Sequence, residues 1–173
     1  MPRQPECLSH PFIITRVFDA PRDLVWQALT DLEHLSHWMS PAGTERVPGS
    51  MDLRVGGVYH YGMKAPNGQS MWGKWIFRDI VAPERLVVVV NFSDADRGVT
   101  RHPMSATWPL ATLSTTTLTD AGAGTRMTLH WQALDATGEE TATFDGAHAG
   151  MTQGWGGTMD QLAAYLAGLQ HRS

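Results

Sequence analysis

Apolar and polar residues change their period several times along this chain, and each change marks an element. Phe12-Ile13-Ile14-Thr15-Arg16-Val17-Phe18 is an aromatic and β-branched run that reads as a first strand. It meets Asp19-Ala20-Pro21, where Pro21 suits the first turn of a helix, and Leu24, Val25, Ala28 and Leu29 then recur at helical spacing. Asp31 can cap a second short helix, in which Leu32, Leu35 and Trp38 share a face before Pro41 stops it.

Strand signals follow. Met51–Val55 alternates, Gly56-Gly57 makes a tight turn, and Val58–Lys64 places Tyr59, Tyr61 and Met63 on one face. Pro66-Asn67-Gly68 is a hairpin signal leading to a partner strand from Met71 to Ile80 with Trp75 and Phe77 on one side. Pro83-Glu84-Arg85 turns the chain into Leu86–Val90, a β-branched run expected to be buried on both faces. A polar stretch from Ser93 to Pro103 reads as a long loop, and Trp108–Thr119 with Thr125–Leu134 as a last hairpin. Finally Phe144, His148, Met151, Trp155, Met159, Leu162, Leu166 and Leu169 follow steps of three and four, the face of one long helix.

These elements predict an α+β domain over residues 1–173, with residues 1–9 frayed. A curved antiparallel sheet wraps a long C-terminal helix, and two short helices follow the first strand. Twisted meander strands curl rather than lie flat, so the geometry leaves room for a cavity between sheet and helix.

Composition narrows the function classes. Thirteen Lys and Arg stand scattered against seventeen Asp and Glu, a net charge of −4, which offers no footprint for phosphate backbones; no nucleic-acid partner is expected. The N-terminus has no apolar core of a secretory signal, and no stretch approaches the roughly 18 uninterrupted apolar residues of a membrane span. A cytoplasmic protein without membrane insertion is the expectation. Cys7 stands alone, so no internal disulfide can form. Seven Trp and nine Met in 173 residues supply large polarizable apolar surface, suited to a rich core or to a ligand-lined interior.

The expected cavity wall is Trp38, Tyr59, Tyr61, Met63, Trp75, Phe77, Trp108, His148, Met151 and Trp155, with tyrosine hydroxyls as its sparse polar contacts. Of the eight His, His34 and His37 sit at ligand-capable spacing without a third partner, so no metal site is expected. His60 and His130 should point away from the cavity; His148 and His102 are better placed to meet a ligand. There is no Gly-x-Ser-x-Gly elbow, and Glu139-Glu140 should cap the last helix. Catalytic residues cannot be assigned, and no cofactor is expected. Gly146, Gly150, Gly154, Gly156 and Gly157 crowd that helix, although each glycine costs about 1 kcal/mol relative to Ala. Close approach of the sheet, a break at Gly156-Gly157, or space beside Trp155 would each account for them, the first being favoured.

Several motifs carry a resemblance. Phe18-Asp19-Ala20-Pro21-Arg22-Asp23-Leu24-Val25-Trp26, followed by Thr30-Asp31-Leu32-Glu33-His34-Leu35-Ser36-His37-Trp38, resembles the N-terminal signature of the SRPBCC superfamily. The group within it named for homologues of the heat-shock-protein-90 ATPase activator is the nearest in pattern. Gly56-Gly57-Val58-Tyr59, Pro83-Glu84-Arg85-Leu86, Gly124–Leu129, Gly154-Trp155 and Met159–Leu166 match in the same order. The resemblance implies the helix-grip fold shared with START-like domains and a hydrophobic small molecule held between sheet and long helix. Some relatives are cyclase or aromatase enzymes, which makes enzymatic activity the second reading. The namesake co-chaperone carries a separate domain for which this chain has no room, so a chaperone partner ranks last. A homodimer is left open.

Overall fold

A computed structural model of the protein describes residues 11–39, 45–102 and 105–171, with the backbone alone at 45–48 and 171. The expectations for residues 1–9 and for Pro41 and Pro103 lie outside the described residues. The element order is β1 (Phe12–Phe18), α1 (Arg22–Thr30), α2 (Leu32–Trp38), β2 (Glu45–Met51), β3 (Val58–Lys64) and β4 (Ser70–Val81). It continues with β5 (Arg85–Ser93), β6 (Val99–Thr100), β7 (Thr112–Ala121), β8 (Gly124–Ala133), α3 (Gly138–Gly146) and α4 (His148–His171).

The eight strands form one antiparallel sheet in the order β1-β8-β7-β5-β4-β3-β2, with the two-residue β6 paired to β5. β1 and β2 are therefore opposite edges, and α1 and α2 carry the chain from one to the other. Register shifts between Phe77 and Asp79 in β4 and between Val47 and Ser50 in β2 add local twist, which helps curl the sheet. Across the concave face lies α4, 24 residues and about 36 Å long at 1.5 Å per residue. This is the α+β helix-grip fold.

Local chemistry explains the boundaries. Pro21 is the N-cap of α1, and Asp31 Oδ1 accepts from the Glu33 and His34 N–H groups at 2.9 and 3.2 Å, starting α2. The indole N–H of Trp38 donates to the Ala28 carbonyl at 2.9 Å and locks the two short helices together.

Four sequence expectations change. The strand expected at Met51–Val55 ends at Met51; Asp52–Gly57 is a turn held by Gly57 N–H donating to the Arg54 carbonyl, and Leu53 and Val55 are exposed. The real strand contains Pro48-Gly49, tolerated because β2 is an edge and the pair falls at its register shift. The Ser93–Pro103 loop contains β6: Asp94 Oδ1 accepts from the Asp96 and Gly98 N–H groups at 2.9 and 2.8 Å and folds the chain back on β5. The strand expected from Trp108 begins only at Thr112. The long C-terminal helix is present as α4, but Phe144 and Glu139-Glu140 belong to a separate helix before it: Glu139-Glu140 open α3, where Thr137 and Glu140 form a capping box.

Two apolar clusters result. The larger joins α1, α2 and the C-terminal half of α4 to the sheet through Val25, Leu35, Trp38, Tyr59, Phe77, Met127, Met159, Leu162 and Leu166. The smaller gathers Phe12, Phe144 and Met151, with Trp108 and Trp131 packed against it. Trp155 touches both clusters.

Candidate functional site: an aromatic pocket between sheet and helix

Between these clusters the curled sheet and α4 separate and enclose a pocket of about 800 Å³, partly open to the outside. Alternation along the strands selects most of its wall: Tyr61 and Met63 from β3, Met71, Gly73 and Trp75 from β4, Val90 and Phe92 from β5, Thr112 and Ser114 from β7, and Trp131 from β8, to which Trp72 and Asn91 add out of phase. Met151, Gly154, Trp155, Gly157, Thr158 and Gln161 of α4 face them, and His102, Trp108 and Pro109 close one end. Trp108 and Trp131 lie 6.0 Å apart between ring centroids and Trp131 and Trp155 6.4 Å, so three indoles line one side.

The electrostatics of this wall are distinctive. Among the described residues, no Asp, Glu, Lys or Arg lines the pocket. Several of its polar groups are already engaged: Asn91 Nδ2 donates to the Leu110 carbonyl at 2.8 Å, Gln161 Nε2 to the Trp38 carbonyl at 3.3 Å, and Thr158 Oγ1 to the Gly154 carbonyl at 3.1 Å. His102 packs against Phe92 at 4.5 Å and Trp108 at 5.9 Å, and burial lowers its pKa below the ordinary imidazole value of 6.5. A second void of about 30 Å³ lies deeper, with a mostly apolar lining that includes Leu86, Val88, Met127 and Leu129 and the hydroxyl groups of Ser114 and Thr116. It shares Met39, Trp75, Ser114 and Trp155 with the main pocket.

Of the residues expected on the wall, Tyr61, Met63, Trp75, Trp108, Met151 and Trp155 line the main pocket. Tyr59 and Phe77 share the concave face but are buried in the larger core. Tyr59 stacks on Tyr61 at 4.9 Å and meets Trp75 edge-on at 5.0 Å. Trp38 lines only the small void. His148 does not line either space; it packs on Phe12 and Phe144 beside Asp145, because the break at Ala147 sets the first turn of α4 against the smaller core. Sequence reasoning left Thr112, Ser114 and Trp131 out of the wall, although alternation along Thr125–Leu134 puts Trp131 on the cavity side.

The glycines of α4 have a different explanation from the favoured one. The helix runs unbroken through Gly156-Gly157, and a Cβ built at Gly150, Gly154, Gly156 or Gly157 would meet nothing within 4 Å beyond its own helix. Neither close packing nor a break accounts for these four, whereas Gly146 is the last residue of α3. Gly154 and Gly157 line the pocket, whereas Gly150 is exposed outside it.

Other candidate chemistry is structural. His34 Nδ1 lies 2.5 Å from the Tyr165 hydroxyl and His37 stacks on the same ring at 5.2 Å, so both pin α2 to α4. His60 stacks on Trp72 at 4.9 Å on the convex face, with Nε2 2.9 Å from the Asp94 carbonyl. Among the described residues, no three His, Cys, Asp or Glu side chains cluster as metal ligands, and no helix is long and apolar enough to cross a membrane. The Glu140 carboxylate accepts from the Thr137 N–H at 3.0 Å and from the Arg101 guanidinium, and in that order these hold its pKa below the ordinary value of 4.5. That pair, with Thr143 Oγ1 donating to Thr107 Oγ1 at 2.8 Å, fastens the segment carrying His102 and Trp108 to α3.

The same fold recurs widely among solved structures. A protein from Arthrobacter aurescens is 27% identical with a TM-score of 0.75, covering 92% of this chain and 87% of its own. A protein from Mycobacterium smegmatis is 24% identical with a TM-score of 0.74 and 90% of each chain covered. One from Nitrosomonas europaea is 22% identical, also at 0.74, covering 95% and 98%. No curated protein matches the sequence. The family model described as Activator of Hsp90 ATPase homolog 1-like protein matches residues 19–167, almost the whole of the fold just described, and the chain belongs to that family.

Proposed function

We propose that this protein is a small-molecule carrier or sensor that holds an apolar or aromatic ligand in the pocket between the sheet and α4. The observation that carries this reading is a pocket of about 800 Å³ walled by Tyr61, Trp75, Trp108, Trp131 and Trp155, within the size range of small-molecule sites. The glycines add to it. Stability is given up along α4 where no neighbour demands it, and Gly154 and Gly157 leave their space to the pocket.

A cyclase-type enzyme would place two or more groups of displaced proton affinity around its substrate. The wall supplies one, His102, held in its neutral form by burial rather than by a charged partner. That favours binding over catalysis.

Native mass spectrometry of the protein purified from its own source without detergent tests the proposal. A retained small molecule that dissociates on unfolding is the expected result. A bare protein that also fails to take up any aromatic compound added back would contradict it.

A further inference from the structure

We infer that the ligand is an uncharged aromatic molecule whose oxygen function, a hydroxyl or carbonyl, is directed at Ser114 and Thr116 on β7. This deepens the binding reading of the same pocket and rests on it.

The first ground is the apolar, aromatic lining, in which no Lys, Arg, Asp or Glu stands among the described residues. A ligand carboxylate or ammonium set among those residues would lose its hydration without a charged partner to replace it. The described wall therefore disfavours a buried anionic head group, whereas flat neutral rings find five indoles and a tyrosine.

The second ground is a polar stripe in an otherwise apolar surface. On the concave face β7 presents Thr112, Ser114 and Thr116 in alternation, and Ser114 and Thr116 border the small void behind Trp75 and Trp155. About 30 Å³ is enough for one water or one ligand oxygen. Ser114 lines both spaces, so a hydroxyl or carbonyl on the deep end of a ligand in the main pocket meets its hydroxyl group. The side-chain amides of Asn91 and Gln161 are already donating to backbone carbonyls; the β7 hydroxyls border the small void, and the buried indole N–H of Trp131, which has no hydrogen-bond partner among the described residues, is a further neutral donor on the main wall.

Titration with three matched probes at pH 7.5, followed by tryptophan fluorescence, tests this: 4-phenylphenol, biphenyl and biphenyl-4-carboxylate. The phenol should bind about three- to tenfold more tightly than biphenyl, the range of one hydrogen bond. The carboxylate should bind at least about thirtyfold more weakly than the phenol, because its charge must be desolvated. Ser114→Ala should bring the phenol to the affinity of biphenyl and leave biphenyl itself unchanged; Thr116→Val provides the same comparison should Ser114→Ala fold poorly. A carboxylate bound within threefold of the phenol overturns the inference, as does a Ser114→Ala variant that weakens phenol and biphenyl alike. Failure of all three probes to bind would overturn the binding reading itself.

Discussion

The ring of Tyr61 lies flat across Gly73 on the neighbouring strand, so that a Cβ at position 73 would come within 2.6 Å of its hydroxyl oxygen. The wall of the pocket thus depends on the absence of a side chain one strand away. Gly73→Val should push the Tyr61 ring inward and cost about 1–3 kcal/mol of stability through overpacking. In a Tyr61→Ala background the same substitution should cost much less, because the two residues share one contact. Chemical denaturation of the four variants of this cycle measures the coupling.

The α4 glycines behave in the opposite way. With no neighbour to clash, Gly154→Ala and Gly157→Ala should each raise stability by about 1 kcal/mol, the helix-propensity difference. Gly154→Leu should keep the fold and lower the affinity for 4-phenylphenol, since Gly154 lies on the rim of the pocket, whereas Gly150→Leu should leave affinity unchanged. Thermal unfolding and fluorescence titration separate the two effects. Equal loss of binding in both leucine variants would disconnect the glycines from the pocket.

His102 should make the proposed binding pH-dependent. Burial depresses its pKa in the folded state, so the neutral imidazole is favoured there and its contribution to stability is complete above about pH 6.5. As pH falls below that value and through the depressed folded pKa, the contribution is lost, and a charge appears on the wall. Affinity for a neutral aromatic should be flat from neutral pH upward and decline on acidification below the ordinary imidazole range. His102→Phe should remove that decline, which titrations at several pH values can follow.

The Arg101–Glu140 pair gives a second, more acidic transition. The pKa of Glu140 is held down by the Thr137 N–H and then by Arg101, so its stabilisation is present above the ordinary carboxylate value and lost as pH falls through the depressed one. Glu140→Ala should cost about 0.5–2 kcal/mol, the range for losing a helix cap, and should loosen the segment bearing His102 and Trp108. Hydrogen exchange across residues 105–111 would register that loosening.

Much of the fold was legible in the sequence because local chemistry and tertiary structure agree. Phe12–Phe18 is a strand with the bounds its pattern announces, and Asp31 caps the helix it precedes. β2 was missed because Pro48-Gly49 interrupts its signal, and only its place at the sheet edge makes that pair tolerable. For the pocket, alternation identified the correct face but not depth. Tyr59 and Tyr61 point the same way, yet Tyr59 lies in the core and Tyr61 on the wall, and the difference is set by where α4 crosses the sheet. His148 follows the periodicity of the later helix but faces the smaller core, since α3 ends at Gly146, a glycine that groups in the sequence with those of α4 rather than standing out as a helix end.

The central claim is that the space between α4 and the sheet receives a neutral aromatic molecule. A crystal structure grown with 4-(4-bromophenyl)phenol tests it most directly, because bromine can be located by its anomalous scattering. The account predicts a bromine peak inside the pocket walled by Trp108, Trp131 and Trp155, with the phenolic oxygen toward Ser114. Bromine confined to the outer surface, with the indoles closed upon one another, would contradict it.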